Sequence, residues 1–182
     1  MIPNPRSGLP RAVLPAIGLS IMLALTTSCS SPEREYAVPG DLCGVRVPAK
    51  ALEPVLPAGK EATLHPSAIG ENKRCRIHVD GKSVFSASIE PWEKDAKAQD
   101  VARVTLSVEP SDTLSKDRRY IYSPTGAVGR VECPAPPDSK RSVWATVRVT
   151  HDDATEADMK NLIEAYAKAV AASGACREML GG

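Results

Sequence analysis

Residues 142–150 read SVWATVRVT, and the chain runs on as HDDATEADMKNLIEAYAKAVAASG to Gly174. In the first run Val143, Ala145, Val147 and Val149 alternate with Trp144, Thr146 and Arg148. A period of two puts the small apolar set on a buried sheet face and the other set opposite. After His151-Asp152-Asp153 the period changes. Met159, Leu162, Ile163, Tyr166, Ala169, Val170 and Ser173 recur at three- and four-residue steps, which predicts one long helix over about 154–173. Asp153 with Glu156 offers the cap-plus-acid spacing of a helix start, with Thr155 and Asp158 the alternative, and Gly174 offers the stop.

Upstream, the same periodicity gives the partners of this strand. Arg74–Asp80 (RCRIHVD) places Cys75, Ile77 and Val79 on one face, and Arg74, Arg76, His78 and Asp80 on the other. Ser83–Glu90 (SVFSASIE) aligns Phe85, Ala87 and Ile89, and the intervening Asp80-Gly81 is a hairpin signal. Val101–Glu109 (VARVTLSVE) alternates Val104, Leu106 and Val108 and reads as a strand. Arg119–Ser123 and Ala127–Cys133 flank a Pro124-Thr125-Gly126 turn. Cys43, Val45 and Val47 alternate at the start, and Pro48 opens a helix of about two turns. Residues 58–72, rich in Gly, Pro, Glu and Asn, read as loop; 91–100 reads as irregular with a possible helical turn; 134–141 is a Pro-rich loop. Five to six strands ahead of one terminal helix imply an α+β domain, an antiparallel sheet with the C-terminal helix packed on one face.

The 182 residues fit one domain with appendages. At 25% charged and 42% hydrophobic residues, wholesale disorder, a multi-span membrane protein and a coiled coil are excluded. The formal charge is +1, and without Arg6 and Arg11 of the N-terminal segment the acids exceed the bases by one. Such a balance gives no bulk electrostatic case for binding nucleic acid.

That N-terminal segment reads as an address. Met1–Arg11 carries two arginines and no acid, and Ala12–Thr26 (AVLPAIGLSIMLALT) is an apolar run too short for a comfortable membrane span. It ends in Leu25-Thr26-Thr27-Ser28-Cys29. A small residue directly before a Cys resembles a bacterial lipobox, although Leu25 stands one place further back than the usual Leu. Residues 1–28 are therefore expected to be a lipoprotein signal peptide, with Cys29 the lipidation site. Residues 29–40, polar with two prolines, are expected to be a lipid-anchored tether, and 41–182 a single disulfide-stapled domain.

Cysteine arithmetic agrees. Of Cys29, Cys43, Cys75, Cys133 and Cys176, a thioether at Cys29 removes one and leaves four for two disulfides, which exported compartments permit. Four cysteines allow three pairings. Cys43–Cys75 with Cys133–Cys176 is favoured because each pair lies within one half of the chain, and because the strand 142–150 and the helix 154–173 have matched lengths that return Cys176 towards Cys133.

The lipobox-like ending, Asp41-Leu42-Cys43 after a tether, a short helix, a second Cys in an alternating strand, and a strand–helix–Cys close resemble actinobacterial secreted lipoproteins of unknown function. The resemblance implies an antiparallel α/β sandwich on the outer face of the cell membrane. It carries over no catalytic residue.

Motifs of chemistry are sparse. The sequence has no Gly-x-Ser-x-Gly, Ser-x-x-Lys, His-Glu-x-x-His, P-loop, Gly-x-Gly-x-x-Gly or Cys-x-x-Cys. His78 with Asp80, and His151-Asp152-Asp153, could gather a cation; a solvated sheet face and helix capping are the readings favoured for them. Arg74, Arg76, Arg118, Arg119, Lys140 and Arg141 invite a basic patch facing anionic lipid or wall polymer, against a solvated face balanced by nearby acids. Trp144 is either exposed for binding or covered by a second layer, and packing under a short helix or loop is the expectation. With no cofactor, metal or catalytic residue assigned, the expected function is a non-enzymatic, membrane-anchored binding or envelope-accessory role, its ligand unspecified. The alternative is a cell-envelope hydrolase with an unrecognised site.

Overall fold

The computed structural model describes residues 1, 33–134 and 138–180. The expected signal peptide beyond Met1, and Cys29 with it, lie outside the described residues. Asp41–Leu42 (β1) and Val45–Arg46 (β2) form a small hairpin, followed by Ala49–Leu52 (α1) and a 3-10 turn at Glu53–Val55. The strands Ala62–Ile69 (β3), Asn72–Val79 (β4) and Lys82–Glu93 (β5) come next, then Ala98–Ala102 (α2). Thr113–Leu114 (β6), Tyr120–Tyr122 (β7), Gly126–Val131 (β8) and Arg141–Val149 (β9) complete the strands. Glu156–Ala171 (α3) and Ala175–Leu180 (α4) close the chain. The strands β3-β4-β5-β9-β8-β7-β6 form one antiparallel sheet in that order, seven strands rather than five or six.

The central strands follow their alternation. Ile77, Phe85, Ala87, Ala145, Val147 and Val149 are buried on one face together with Met159, Leu162, Ile163 and Val170 of α3. Asp80 and Gly81 both take positive φ in the β4–β5 hairpin, the turn whose twist suits paired strands. Of the two helix starts, Thr155 is the cap: its hydroxyl accepts from Asp158 N–H at 3.2 Å, and Asp158 accepts in return from Thr155 N–H at 3.1 Å. Both favoured disulfides are present, Cys43–Cys75 and Cys133–Cys176, with Cα separations of 5.7 and 5.5 Å. Cys176 lies in α4, a short helix after Gly174.

Two segments depart from expectation. Residues 62–69, read as loop, are the edge strand β3, paired along its whole length with β4. Its side chains stay mostly exposed on both faces, so no apolar alternation marks it, and Pro66 is tolerated there because an edge residue needs no second ladder partner. Residues 101–109, read as a strand, are the end of α2 and a run of turns. Val101 and Val108 point inward, whereas Val104 and Leu106 are each 69% exposed. The helix end is fixed by Thr105, whose hydroxyl donates to Val101 C=O at 2.8 Å.

The segment from Lys94 to Ser115 crosses the second face of the sheet. There Ala98, Val101, Ala102 and Val108 pack with Ile121, Val128 and Trp144. The β4–β5 hairpin, the β7–β8 turn and the end of β9 share one end of the sheet: Thr150 N–H donates to Val84 C=O and Val149 N–H to Thr125 C=O. The end of β5, the start of β9 and the β3–β4 turn share the other, where Glu93 faces Arg141 and Arg141 pairs with Glu71 at 2.8 Å.

Candidate functional site

The tether expected over 29–40 is described from Glu33, and from Arg34 it is fastened to the domain. Arg34 bridges to Gly59, and Glu35 N–H donates to Gly59 C=O at 2.8 Å. The Arg34 guanidinium donates to the carbonyls of Glu53 and Leu56, and the Tyr36 hydroxyl donates to Pro57 C=O. These contacts sit at the hairpin end, where the Asp80 carboxylate accepts from Lys60 and Glu61 N–H.

That capping role separates Asp80 from His78. His78 stays on the uncovered part of the second face, its ring centroid 4.1 Å from that of His65. Desolvation, then the neighbouring His65 and Arg76, holds its pKa below the usual imidazole value. His151 faces the Val55 carbonyl through Nε2 at 3.0 Å and Asp153 through Nδ1 at 3.3 Å. Among the described residues no three His, Cys, Asp or Glu side chains converge as metal ligands.

Trp144 is covered: it is 1% exposed beneath α2, and its indole N–H donates to Ser142 Oγ at 3.1 Å. Trp92 stays half-buried at the rim of the same cluster.

The six basic residues fall in three places. Arg74 and Arg76 lie on the uncovered sheet face, with Arg74 donating to Ser88 Oγ at 3.3 Å. Lys140 and Arg141 belong to the approach to β9. Arg118 and Arg119 line a cleft of about 480 Å3 at the far end, together with Lys94, Lys97 and Arg130. Lys94 and Lys97 stand 21 to 25 positions from Arg118 and Arg119, so no local pattern joins them, whereas Arg130 stands 11 and 12 positions away, across the β7–β8 hairpin.

Local turn chemistry shapes one wall of this cleft. Ser115 Oγ donates to the Asp117 carboxylate at 2.6 Å, and Arg119 Nε donates to it at 2.7 Å. These two contacts pull the Asp117 pKa down to about 2. Arg119 also holds Glu132 at 3.1 Å, so its charge is spent locally. Arg118, between them, takes φ +59° and extends into solvent. Arg130 is half-buried and donates to the Lys94 carbonyl at 3.3 Å.

A second hollow, about 470 Å3, lies between β1–β2, β4 and the start of α4. Leu42, Val45, Ile89 and the Cys43–Cys75 bridge line it, Tyr166 reaches it from α3, and the Lys73–Glu178 ion pair stands at its mouth. Burial pushes the Tyr166 phenol well above its usual pKa, so it is a neutral group in an apolar hollow.

Comparison with family models, with curated proteins and with solved structures finds no match.

Proposed function

We propose that this chain is a lipoprotein held on the outer face of the cell membrane through Cys29, with a non-enzymatic binding or envelope-accessory role carried by the domain. This keeps the resemblance to actinobacterial secreted lipoproteins as its frame. The observation that carries the reading is the sulfur pairing. Two disulfides use four of the five cysteines and leave Cys29, the one that follows the apolar segment, for a thioether. Disulfides of this kind persist in exported compartments.

Two features support an anchored domain that stays near the bilayer. Arg34, the first described residue fastened to the domain, stands five positions after Cys29, and five residue steps reach at most about 18 Å. The exposed Val104 and Leu106 precede Ser107, whose carbonyl is held by Ser123 at the hairpin end, the end that also binds Arg34. Support for binding over hydrolysis comes from the cleft's side chains. Guanidinium and ammonium groups are hydrogen-bond donors that hold anions, so they suit recognition.

Intact-mass measurement of the membrane-extracted protein tests the anchor. The expected species begins at Cys29 and carries a diacylglycerol thioether. Cys29→Ala is expected to move the protein to the soluble fraction or leave it unprocessed. A free Cys29 thiol, or cleavage elsewhere, overturns the reading.

A further inference from the structure

We propose that the cleft bounded by Lys94, Lys97, Arg118 and Arg130 binds a phosphate-bearing polyanion. The inference deepens the binding role proposed above, and rests on it for the compartment in which such a ligand would be met.

The first ground is uncompensated charge. The chain as a whole is near neutral, yet four cations meet here with no carboxylate within ion-pairing distance among the described residues. The acids that line the cleft are Asp95 and Asp117, and Asp117 is taken by Arg119. Five cations against these two carboxylates leave the cleft with a net positive charge, and such a cleft, walled by protein, focuses its potential on an incoming anion.

The second ground is preorganisation. Arg118 is held at a left-handed backbone position by the Ser115–Asp117–Arg119 network, with Arg118 N–H donating to Ser115 C=O at 2.9 Å. Arg130 projects from β8 opposite Trp144, and among the described residues its guanidinium makes one hydrogen bond, to the Lys94 carbonyl, which leaves most of the guanidinium donors available. Guanidinium forks match phosphate oxygens in pairs.

The third ground is continuity. Lys94 and Arg130 also line a neighbouring hollow of about 280 Å3 that reaches Arg141, itself paired with Glu71, and Glu132, held by Arg119. Two hollows sharing a cationic ridge suit a chain of repeated anions better than a single small ion.

Orientation selects the source. Arg34 is fastened beside Gly59 and Asp80, at the start of β5, and Lys94 follows its end. Twelve residues of strand separate these ends by about 35 Å. The cleft therefore faces away from the end that the short tether holds, and a soluble or wall-borne polymer fits it better than lipid headgroups.

The test uses purified full-length protein, linear polyphosphate as probe, and isothermal titration at low and high salt. Saturable binding that weakens with salt is expected. Lys94→Gln/Arg118→Gln/Arg130→Gln is expected to weaken it at least tenfold, with an unchanged melting temperature, and the Arg118→Lys/Arg130→Lys protein, which keeps the charge but loses the paired donors, to bind between that variant and the wild type. Arg46→Gln/Arg74→Gln/Arg76→Gln, all outside the cleft, removes the same three charges and is expected to bind normally. Cys29→Ala protein is expected to bind polyphosphate normally, which separates this proposal from the anchor. Three results overturn it: no binding, equal loss in the control, or equal binding to poly-glutamate. Cleft-dependent binding of the Cys29→Ala protein to phosphatidylglycerol vesicles but not to polyphosphate also overturns it, assigning the site to lipid instead.

Discussion

The two faces of the β8–β9 half of the sheet are covered by different means. One carries α3, a sixteen-residue helix whose buried Met159, Leu162, Ile163, Tyr166 and Val170 run into a continuous core. A disulfide at each end of the domain's sequence fastens the surrounding elements. The other carries α2, five residues long, and a run of turns, packed through a small cluster centred on Trp144. The α3 face is held by apolar area, which scales with the residues buried. The α2 face is held by Trp144 and a handful of smaller apolar side chains, among them Val101, Val108, Ile121 and Val128. Function follows the thinner cover, because the basic cleft opens at the rim of the α2 face, where the sheet is reached by loops rather than sealed by a helix.

Unlinking the α3 side should have the largest effect. Cys133 and Cys176 are 43 residues apart, and the loop-entropy model assigns such a link about 4 kcal/mol. Cys133→Ser/Cys176→Ser should lower the melting temperature by roughly 10 °C for a domain of this size and loosen α4 first. Calorimetry checks the first effect and hydrogen exchange at 175–180 the second. Membrane attachment should be unaffected. A change below about 1 kcal/mol would mean that α3 packing alone fixes the C-terminus.

A pair of glycines sharpens the contrast, one on each face of β8. A Cβ on Gly129 would meet the Tyr120 ring at 2.7 Å and Ile163 Cγ1 at 2.9 Å, inside the α3 core. A Cβ on Gly126 would meet the Ser107 carbonyl at 2.5 Å, in the turns after α2. Gly129→Ala should therefore cost about 1–3 kcal/mol of global stability, the usual price of overpacking. Gly126→Ala should instead lift the 103–109 segment, speeding its hydrogen exchange and proteolysis with a smaller loss of melting temperature. Equal global losses would mean that the two covers unfold as one unit.

The same contrast explains what the sequence made legible. Where a strand lies under α3, one buried face imposes alternation, and β4, β5, β9 and their hairpin could be read from Cys75 to Val79, from Phe85 to Ile89 and from Val143 to Val149. The cap at Thr155 and the pairing of the four domain cysteines were likewise within reach of local spacing and element length. β3 was not, because it is exposed on both sides and Pro66 interrupts it. The 101–109 run misled because Val104, Leu106 and Val108 alternate by chance; of these Val108 alone is buried, and Val101 belongs to a helix. The cleft was half legible. Arg118 and Arg119 stand out as a basic pair, and the turn between 119–123 and 127–133 carries Arg130 beside Arg119, but Lys94 and Lys97 join them through pairing across the sheet, which no local pattern encodes.

The smallest expected effect lies over β3 and β4, where no described residue of another element covers the second face. His78 is half-buried there, with His65 against its ring and Arg76 beside it, and its Nε2 is buried without a hydrogen-bond partner. Desolvation first, then the two neighbouring groups, disfavours its protonated form. Its folded pKa therefore lies below the unfolded value of about 6.5. A base with a depressed folded pKa binds fewer protons folded than unfolded, so its contribution is intact above about pH 6.5 and is lost as pH falls through the folded value. The loss should be local, because β3 is an edge strand held by one neighbour. Amides of β3 and β4 should exchange faster at pH 5 than at pH 7 after correction for intrinsic rates, while α3 amides keep their protection. His78→Gln should flatten that dependence in β3 and leave the rest of the protein alone. An imidazole titration of His78 centred at or above 6.5, followed by NMR, would show that the open face solvates the ring fully, and that the lack of a covering layer carries no electrostatic cost there.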